Sequence, residues 1–529
     1  MPDAAVARKL TLLDCVGIGI NGIVGSGVFL LPVRVYLGAG GAGWAAWFAI
    51  GGVCLLVGLC FGELASMTDR NGGPYVYAHD AFGEWAGFAV GWMALAATVL
   101  GYSAVARGLG RNLSYLLPQF SSSAMQAALA LAIIAALAVL NWFGIKPGAW
   151  VSNFFSGAKL IPLAVFVGIG LLHVDWTRLA APPPGGRSML EALQVGGLAG
   201  LFACTGFEYV PVPAGETKNP QRSMPIALVG SLFGATLLYA LVQVVVTGTH
   251  PDLLHADPSA AKPLAESAAA FSGAGLARLI SVGAVISSFG FCTGSALVGP
   301  RYVAAFAEDS AMPAVLGRRH PVHQSPAVAI AVVSVVAGLL CIVLDFDRLA
   351  DISLVALFMQ YIATCLAVIV LRHRRPDAPR VFRLPLGPTI PLLATLGCVL
   401  FLHGTARADV VLAAWILFAG LAFRALQQFA RRMVAVYETI PWPARRLGQS
   451  SPPPTSSDPG SRRGSGGRLS TAAGNSSTMN CTMSLMETTP TGRFSASTKG
   501  TWRYPPTCIK LSAHTIRSSG RSDSGSRVM

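Results

Sequence analysis

The sequence predicts an all-α, polytopic membrane protein with twelve transmembrane helices, and three observations carry that prediction. The 529 residues have a mean hydropathy of +0.57 and are 53% hydrophobic but only 12% charged. That is too little charge to cover a soluble surface of this size, so lipid is the solvent for much of the chain. Apolar runs long enough to cross about 30 Å of hydrocarbon recur from end to end. Two of these runs, the first and the sixth, are interrupted by glycine, proline or a carboxylate.

The spans are expected near 11–36, 42–67, 84–112, 124–142, 149–173, 190–214, 225–249, 275–306, 326–345, 350–371, 387–404 and 409–429. With the N-terminus inside, thirteen Lys/Arg fall in cytoplasmic connections. Six fall on the opposite side, or nine with Arg34, Arg107 and Arg278 added. That bias places both termini in the cytoplasm, and the chain is expected in the cell inner (plasma) membrane as a multi-pass protein. No A-x-A cleavage site follows the apolar start, which reads as a permanent first span.

Residues 1–440 form the transmembrane domain. The remainder, 441–529, is rich in Ser, Gly, Pro, Thr and Arg without apolar period from about residue 447, and is expected to be a disordered cytoplasmic tail. Much of the formal charge of +15 lies there: the tail holds 12 Lys/Arg against 3 Asp/Glu. No basic stripe with interleaved aromatics runs through the core, which excludes a nucleic-acid partner. The ten cysteines form no C-x-x-C pair and no Cys/His ligand spacing, so neither a disulfide framework nor a metal site is expected. No cofactor is implied. Without a metal cluster, catalytic triad or phosphate loop in the sequence, an enzyme is not expected either.

Span one reads TLLDCVGIGINGIVGSGVFLLP, with Gly22, Ile23, Val24, Gly25, Ser26 and Gly27 at its densest glycine stretch. Two readings stand open on this span alone. Small residues let helices pack closely in lipid. Alternatively, the helix is unwound there, and its free N–H groups and the following helix N-terminus face an anion such as a carboxylate. Span six, LFACTGFEYVPVPAGETKNP, puts Gly206, Glu208, Pro211 and Pro213 into one apolar stretch. Such residues are costly in lipid unless the segment is broken and lines a cavity. Spans one and six hold corresponding positions in two five-helix halves, and paired interruptions there point to an inverted-repeat transporter with a midplane site. Carbonyls freed around Ala203, Cys204 and Thr205 suit an ammonium group, so the pair describes a zwitterion site.

These residues carry a resemblance. GIGINGIVGSGVFLLP resembles the first-helix signature of the amino acid–polyamine–organocation permeases. So do GELASMTDRNGGPYVYAHDAFGEWAGFAVGW at 62–92, GFEYVPVPAGETKNPQRSMPIAL at 206–228 and YIATCLAVIVLRHRRPDAPRVFRLPLGPTIP at 361–391, in family order over roughly residues 10–430. The resemblance implies the five-plus-five inverted-repeat (LeuT-like) fold with broken helices 1 and 6 and two extra helices. It also implies amino acid transport. The substrate carboxylate would lie at Gly25, Ser26 and Gly27 beside Ile23, and the amine near Phe202, Cys204, Thr205 and Gly206. Phe202 and Phe207 are candidates for an aromatic gate, although aromatics in a helix are more often plain core.

Lys159 lies about ten residues into span five, roughly 15 Å deep at about 1.5 Å per residue. An ammonium at that depth is costly and cannot readily snorkel. It is either salt-bridged to an acidic neighbour, or it occupies the place of a coupling sodium and titrates during the cycle. The resemblance supports the second reading: proton-coupled members of the cationic amino acid transporter branch carry a lysine in span five, and VSNFFSGAKLIPL matches their pattern. The family fold would bring Lys159 to the span-one break and to Ser287 or Ser288 of span eight. Glu208 either accepts a proton or hydrogen-bonds the broken helix. Glu63 and Asp14, near the cytoplasmic face, are expected to cap helices or form gate ion pairs, with Arg70 the natural partner. LRHRRPDAPR reads as a positive-inside anchor, and GGPYVYAHDAFG as a re-entrant gating segment with a turn at Gly72, Gly73 and Pro74.

The expected partners are a small amino acid, a proton and the lipid bilayer, for a monomer or homodimer. The leading expectation is a proton-coupled amino acid symporter. Its rivals are an amino acid/product exchanger and a non-transporting amino acid sensor.

Overall fold

The computed structural model describes residues 10–258, 261–439, 483–488 and 494–500. The chain divides into two units, Met1–Pro441 and Trp442–Met529. In the first, helices run in the order Leu12–Ile23 (α1), Gly27–Leu30 (α2), Pro32–Ala39 (α3), Gly43–Ala65 (α4), Pro74–Phe82 (α5), Glu84–Leu113 (α6), Ser123–Trp142 (α7) and Ile145–Gly170 (α8). They continue as Met189–Cys204 (α9), Pro220–Thr249 (α10), Pro263–Ser272 (α11), Ala274–Glu308 (α12), Ala327–Val343 (α13), Phe346–Arg374 (α14), Thr389–His403 (α15) and Arg407–Thr439 (α16). Ten helical stretches are long and apolar enough to cross a membrane, and α13 and α15 are shorter apolar helices. Within the second unit, Met483–Thr488 (β1) and Phe494–Gly500 (β2) pair antiparallel, with a register irregularity between Leu485 and Met486. The rest of the expected tail lies outside the described residues.

Two helices begin and end for reasons the sequence makes explicit. Helix α1 starts on a capping box, in which Thr11 Oγ1 accepts from Asp14 N and Asp14 Oδ2 accepts from Thr11 N at 2.8 Å. It stops where the glycine run begins to dominate: Val24 leaves the helical region, and the chain resumes as the single turn of α2. Helix α9 likewise starts on a Ser188/Glu191 capping box. It ends at Cys204, ten residues earlier than the expected limit of span six. Thr205 turns extended, Gly206 takes φ +101°, and Pro211 and Pro213 supply no N–H to rebuild a helix.

The core centres on α1, which packs against α8, α10 and α12. The two interruptions meet face to face. A Cβ on Gly22 would come 2.4 Å from the Gly206 carbonyl oxygen, and one on Gly206 would come 2.0 Å from that of Gly22. Only glycine permits that approach. Two further helices lie between the long ones: α5, buried along most of its length, in the expected re-entrant segment, and α11, which the apolar pattern does not announce.

The structure departs from two expectations of the sequence. Arg70 does not pair with Glu63 or Asp14: its Nη2 lies 2.7 Å from Asp309 Oδ1, because the loop after α4 runs to the end of α12. Asp14 instead caps α1 and accepts from Asn153 Nδ2 at 2.6 Å. Nor is the basic run that ends α14 only an anchor. Arg372 Nη2 lies 2.5 Å from Glu63 Oε2, Arg380 Nε lies 3.6 Å from Glu63 Oε1, and the Leu384 N–H donates to the same carboxylate. Glu63 and both arginines are largely buried, so deleting one charge strands the others. Glu63→Gln is therefore expected to lower stability by about 3–5 kcal/mol, read as a large drop in thermal-unfolding midpoint in detergent. An unchanged midpoint would refute that role.

Candidate functional site

The site is built where the two interruptions face the middle of α8 and α12. At the α1–α2 break the chain leaves carbonyls without helical partners, and side chains from three helices converge on them. Lys159 of α8, fully buried, donates from Nζ to the Val24 carbonyl at 2.5 Å. Ser287 of α12 donates from Oγ to the Val24 and Gly25 carbonyls, each at 3.0 Å. Tyr239 of α10 donates to the Ile23 carbonyl at 3.0 Å. The ammonium thus sits on backbone dipoles. Among the described residues it makes no ion pair, so the salt-bridge reading of Lys159 has no carboxylate to support it.

The Gly25 Cα lies under the Phe291 ring, close enough that a Cβ would touch it at 3.0 Å, and Gly27 packs on Ala203. Ser26 directly precedes α2 without capping it and is fully buried, and its hydroxyl has no hydrogen-bond partner among the described residues. A buried hydroxyl without a partner is costly unless a ligand or water completes it. Across from it, Phe202 stands edge-on to Phe346 with ring centroids 5.8 Å apart, and its carbonyl accepts from Thr205 Oγ1 at 2.8 Å. Cys204 ends α9, buried. Ser288 is turned away from the break: its hydroxyl donates back to the Ala284 carbonyl and accepts from Asn112 Nδ2 at 3.3 Å.

Glu208 folds back on the second interruption. Its Oε2 accepts from the Gly206 N–H at 2.9 Å and from the Tyr361 hydroxyl at 2.8 Å. The carboxylate therefore closes the turn that Gly206 opens. Phe207 packs behind it, stacked on Tyr361 and edge-on to Phe61. Glu63 is not at this site; it lies with Arg372, near the far end of α14.

Ion pairs flank the site at both ends of α14. Asp347, in the first turn, faces Arg34 at 3.0 Å and Arg111 at 3.4 Å, and Arg111 also donates to the Pro258 and Ala261 carbonyls. Arg372 in the last turn, about 37 Å away at the helical rise, holds Glu63. On that same side Glu216 meets Arg301 at 3.5 Å and Arg70 meets Asp309. Tyr239, Tyr361, Phe291 and Phe346 were not legible as site residues. A tyrosine in an apolar helix has the signature of core, and its role depends on which distant carbonyl the fold frees.

A family model described as an amino acid permease matches residues 10–423. The chain belongs to that family. The serine/threonine exchanger SteT of Bacillus subtilis (strain 168) is 29% identical to this permease over 432 residues, covering 79% of the permease and 96% of the exchanger. The branched-chain amino acid permease BcaP of the same organism is 27% identical, covering 77% and 90%. Cationic amino acid transporter 4, vacuolar, of Arabidopsis thaliana is 28% identical, covering 70% of the permease and 64% of that protein. The family lies in the amino acid–polyamine–organocation superfamily expected from the motifs, and the permease is a multi-pass transporter rather than an enzyme.

Proposed function

We propose that the permease is a proton-coupled symporter of neutral amino acids working by alternating access. One observation carries this reading: the Lys159 ammonium is held on the Val24 carbonyl, beside Ser287, in the wall of the α1–α2 break. When a proton leaves Lys159, the donor to Val24 weakens and the break can rearrange, which links protonation to the shape of the site. The N–H groups at Ser26 and Gly27, with the unpartnered Ser26 hydroxyl, receive the carboxylate, while the Gly25 N–H is turned back onto the Ile23 carbonyl at 3.1 Å. The carbonyls from Phe202 to Cys204 receive the amine. Oε2 of Glu208 is engaged by Gly206 and Tyr361, which ties the carboxylate to the Gly206 turn and supports a neutral substrate.

In this reading the twelve apolar helices all cross the bilayer in a five-plus-five inverted repeat, with the Arg372 end of α14 and both termini cytoplasmic. The Asp347 and Arg372 ion-pair layers then close the outer and inner paths in turn. Residues 1–440 carry transport, and the 441–529 tail serves no transport step. Deleting 447–529 should leave uptake into proteoliposomes unchanged, whereas a sensor with its output in the tail would lose signalling without ever transporting.

The exchanger reading is favoured by the name of the serine/threonine relative. The two separate cleanly. In proteoliposomes without internal amino acid, a symporter accumulates labelled substrate when the outside is made acidic, and an exchanger does not until the inside is preloaded.

A further inference from the structure

A large apolar groove lies away from the candidate site. A groove of about 410 Å³ runs between α6, α12, α13 and α16, lined by residues that include Trp92, Leu100, Leu316, Val332, Val336 and Phe423. Val332, Val336 and Phe423 are exposed, so the groove opens outward along the membrane-facing surface. Its one polar lining atom, Trp92 Nε1, is already committed to the Ile416 carbonyl at 2.8 Å. It arises because α16 touches α6 tightly at one point, where a Cβ on Gly420 would come 2.4 Å from Trp92, and α13 stands off beside it. A void with no free polar group does not hold water well, so a hydrocarbon chain is its natural filler.

The end of the groove is not apolar. Ile416, Gly420, Phe423, Gln427 and Arg431 follow one another at helical spacing along one face of α16. Arg431 donates to the Ser310 and Met312 carbonyls at 2.8 and 3.1 Å, beside the groove-lining Leu316. Arg318 follows Leu316 by two residues, and Arg318, Arg431 and Arg432 are exposed. Two polar groups here lack partners among the described residues: Nε of Arg424, itself 5% exposed, and both amide atoms of Gln427. The acids nearby are taken, Glu84 by Arg424 at 3.5 Å and Glu308 by Arg319 at 2.9 Å. The end of the groove therefore carries an excess of positive charge and unused donors.

We propose that this groove binds one acyl chain of an anionic phospholipid, whose phosphate sits against Arg431, Arg318 and Arg432. An apolar slot continuous with a basic mouth matches the two ends of such a lipid and not those of a zwitterionic one. The site lies apart from the α1–α2 break, so the proposal does not depend on which substrate or coupling ion the permease uses.

Trp92 reports on the groove directly. The full-length protein is placed in phosphatidylcholine nanodiscs carrying equal fractions of brominated phosphatidylglycerol or brominated phosphatidylcholine. The Trp92 signal is taken as the difference from Trp92→Phe. The phosphatidylglycerol probe is expected to quench Trp92 preferentially, with the preference falling about fivefold for each arginine removed in Arg318→Gln and Arg431→Gln. Arg431→Lys keeps the charge and should retain most of it. Equal quenching by the two lipids, a preference unchanged in the double variant, or a Trp92 that neither lipid reaches would each overturn the proposal. The last result would mean that protein, from this chain or a second copy, fills the groove.

Discussion

Lys159→Ala is expected to abolish uptake driven by a pH gradient while leaving the protein folded. The side chain has one described polar contact, from Nζ to the Val24 carbonyl at 2.5 Å. Removing a charged donor from a buried acceptor is worth about 1.5–3 kcal/mol, so initial uptake should fall about 10- to 100-fold. The diagnostic feature is the loss of pH dependence. If Lys159 only filled space, Lys159→Met, which keeps most of the volume, would restore pH-driven uptake. If it carries the proton, Lys159→Met fails as Lys159→Ala does, and residual binding no longer responds to pH. Ser287→Ala removes a neutral donor to the same carbonyl. It should cost less, about 0.5–1.5 kcal/mol, and should preserve pH dependence.

Gly206→Ala is expected to be the most damaging single methyl addition in the core. At φ +101° any other residue is strained, by about 1–3 kcal/mol, and the new Cβ would stand 2.0 Å from the Gly22 carbonyl oxygen. That oxygen is backbone and cannot rotate aside, so the two interruptions must separate. Their separation also misplaces the Gly206 N–H from Glu208. Loss of uptake with a lowered unfolding midpoint is predicted. Gly230→Ala supplies the control: Gly230 lies inside α10 with nothing within 4 Å of its would-be Cβ, and alanine there should be neutral or stabilising. Equal tolerance at both glycines would contradict the close approach.

Much of this was legible because the relevant signals are local. The dense glycines from Gly22 to Gly27 announce an interruption, and so do Gly206, Pro211 and Pro213 together with Glu208. A lysine midway along an apolar run announces itself as costly. Partners distant in sequence carry no such signal. Glu63 meets Arg372 across 309 positions, and Tyr361 meets Glu208 across 153. Sequence proximity suggested Arg70 for Glu63, but the turn at Gly72 and Gly73 carries Arg70 to Asp309 instead. Helix α11 escaped notice because ten residues of mostly small side chains give too short a period to stand out.

The central claim is that the α1–α2 break, with the turn at Gly206, holds an amino acid. Its most direct measurement is equilibrium binding of the common amino acids to the purified permease in nanodiscs, compared between wild type and Ser26→Ala. The account predicts saturable binding of one or more neutral amino acids, weakened several-fold by loss of the Ser26 hydroxyl (about 1 kcal/mol for one hydrogen bond) and abolished when the substrate carboxylate is amidated. Binding that ignores both the hydroxyl and the carboxylate, or no binding of any amino acid, would contradict it.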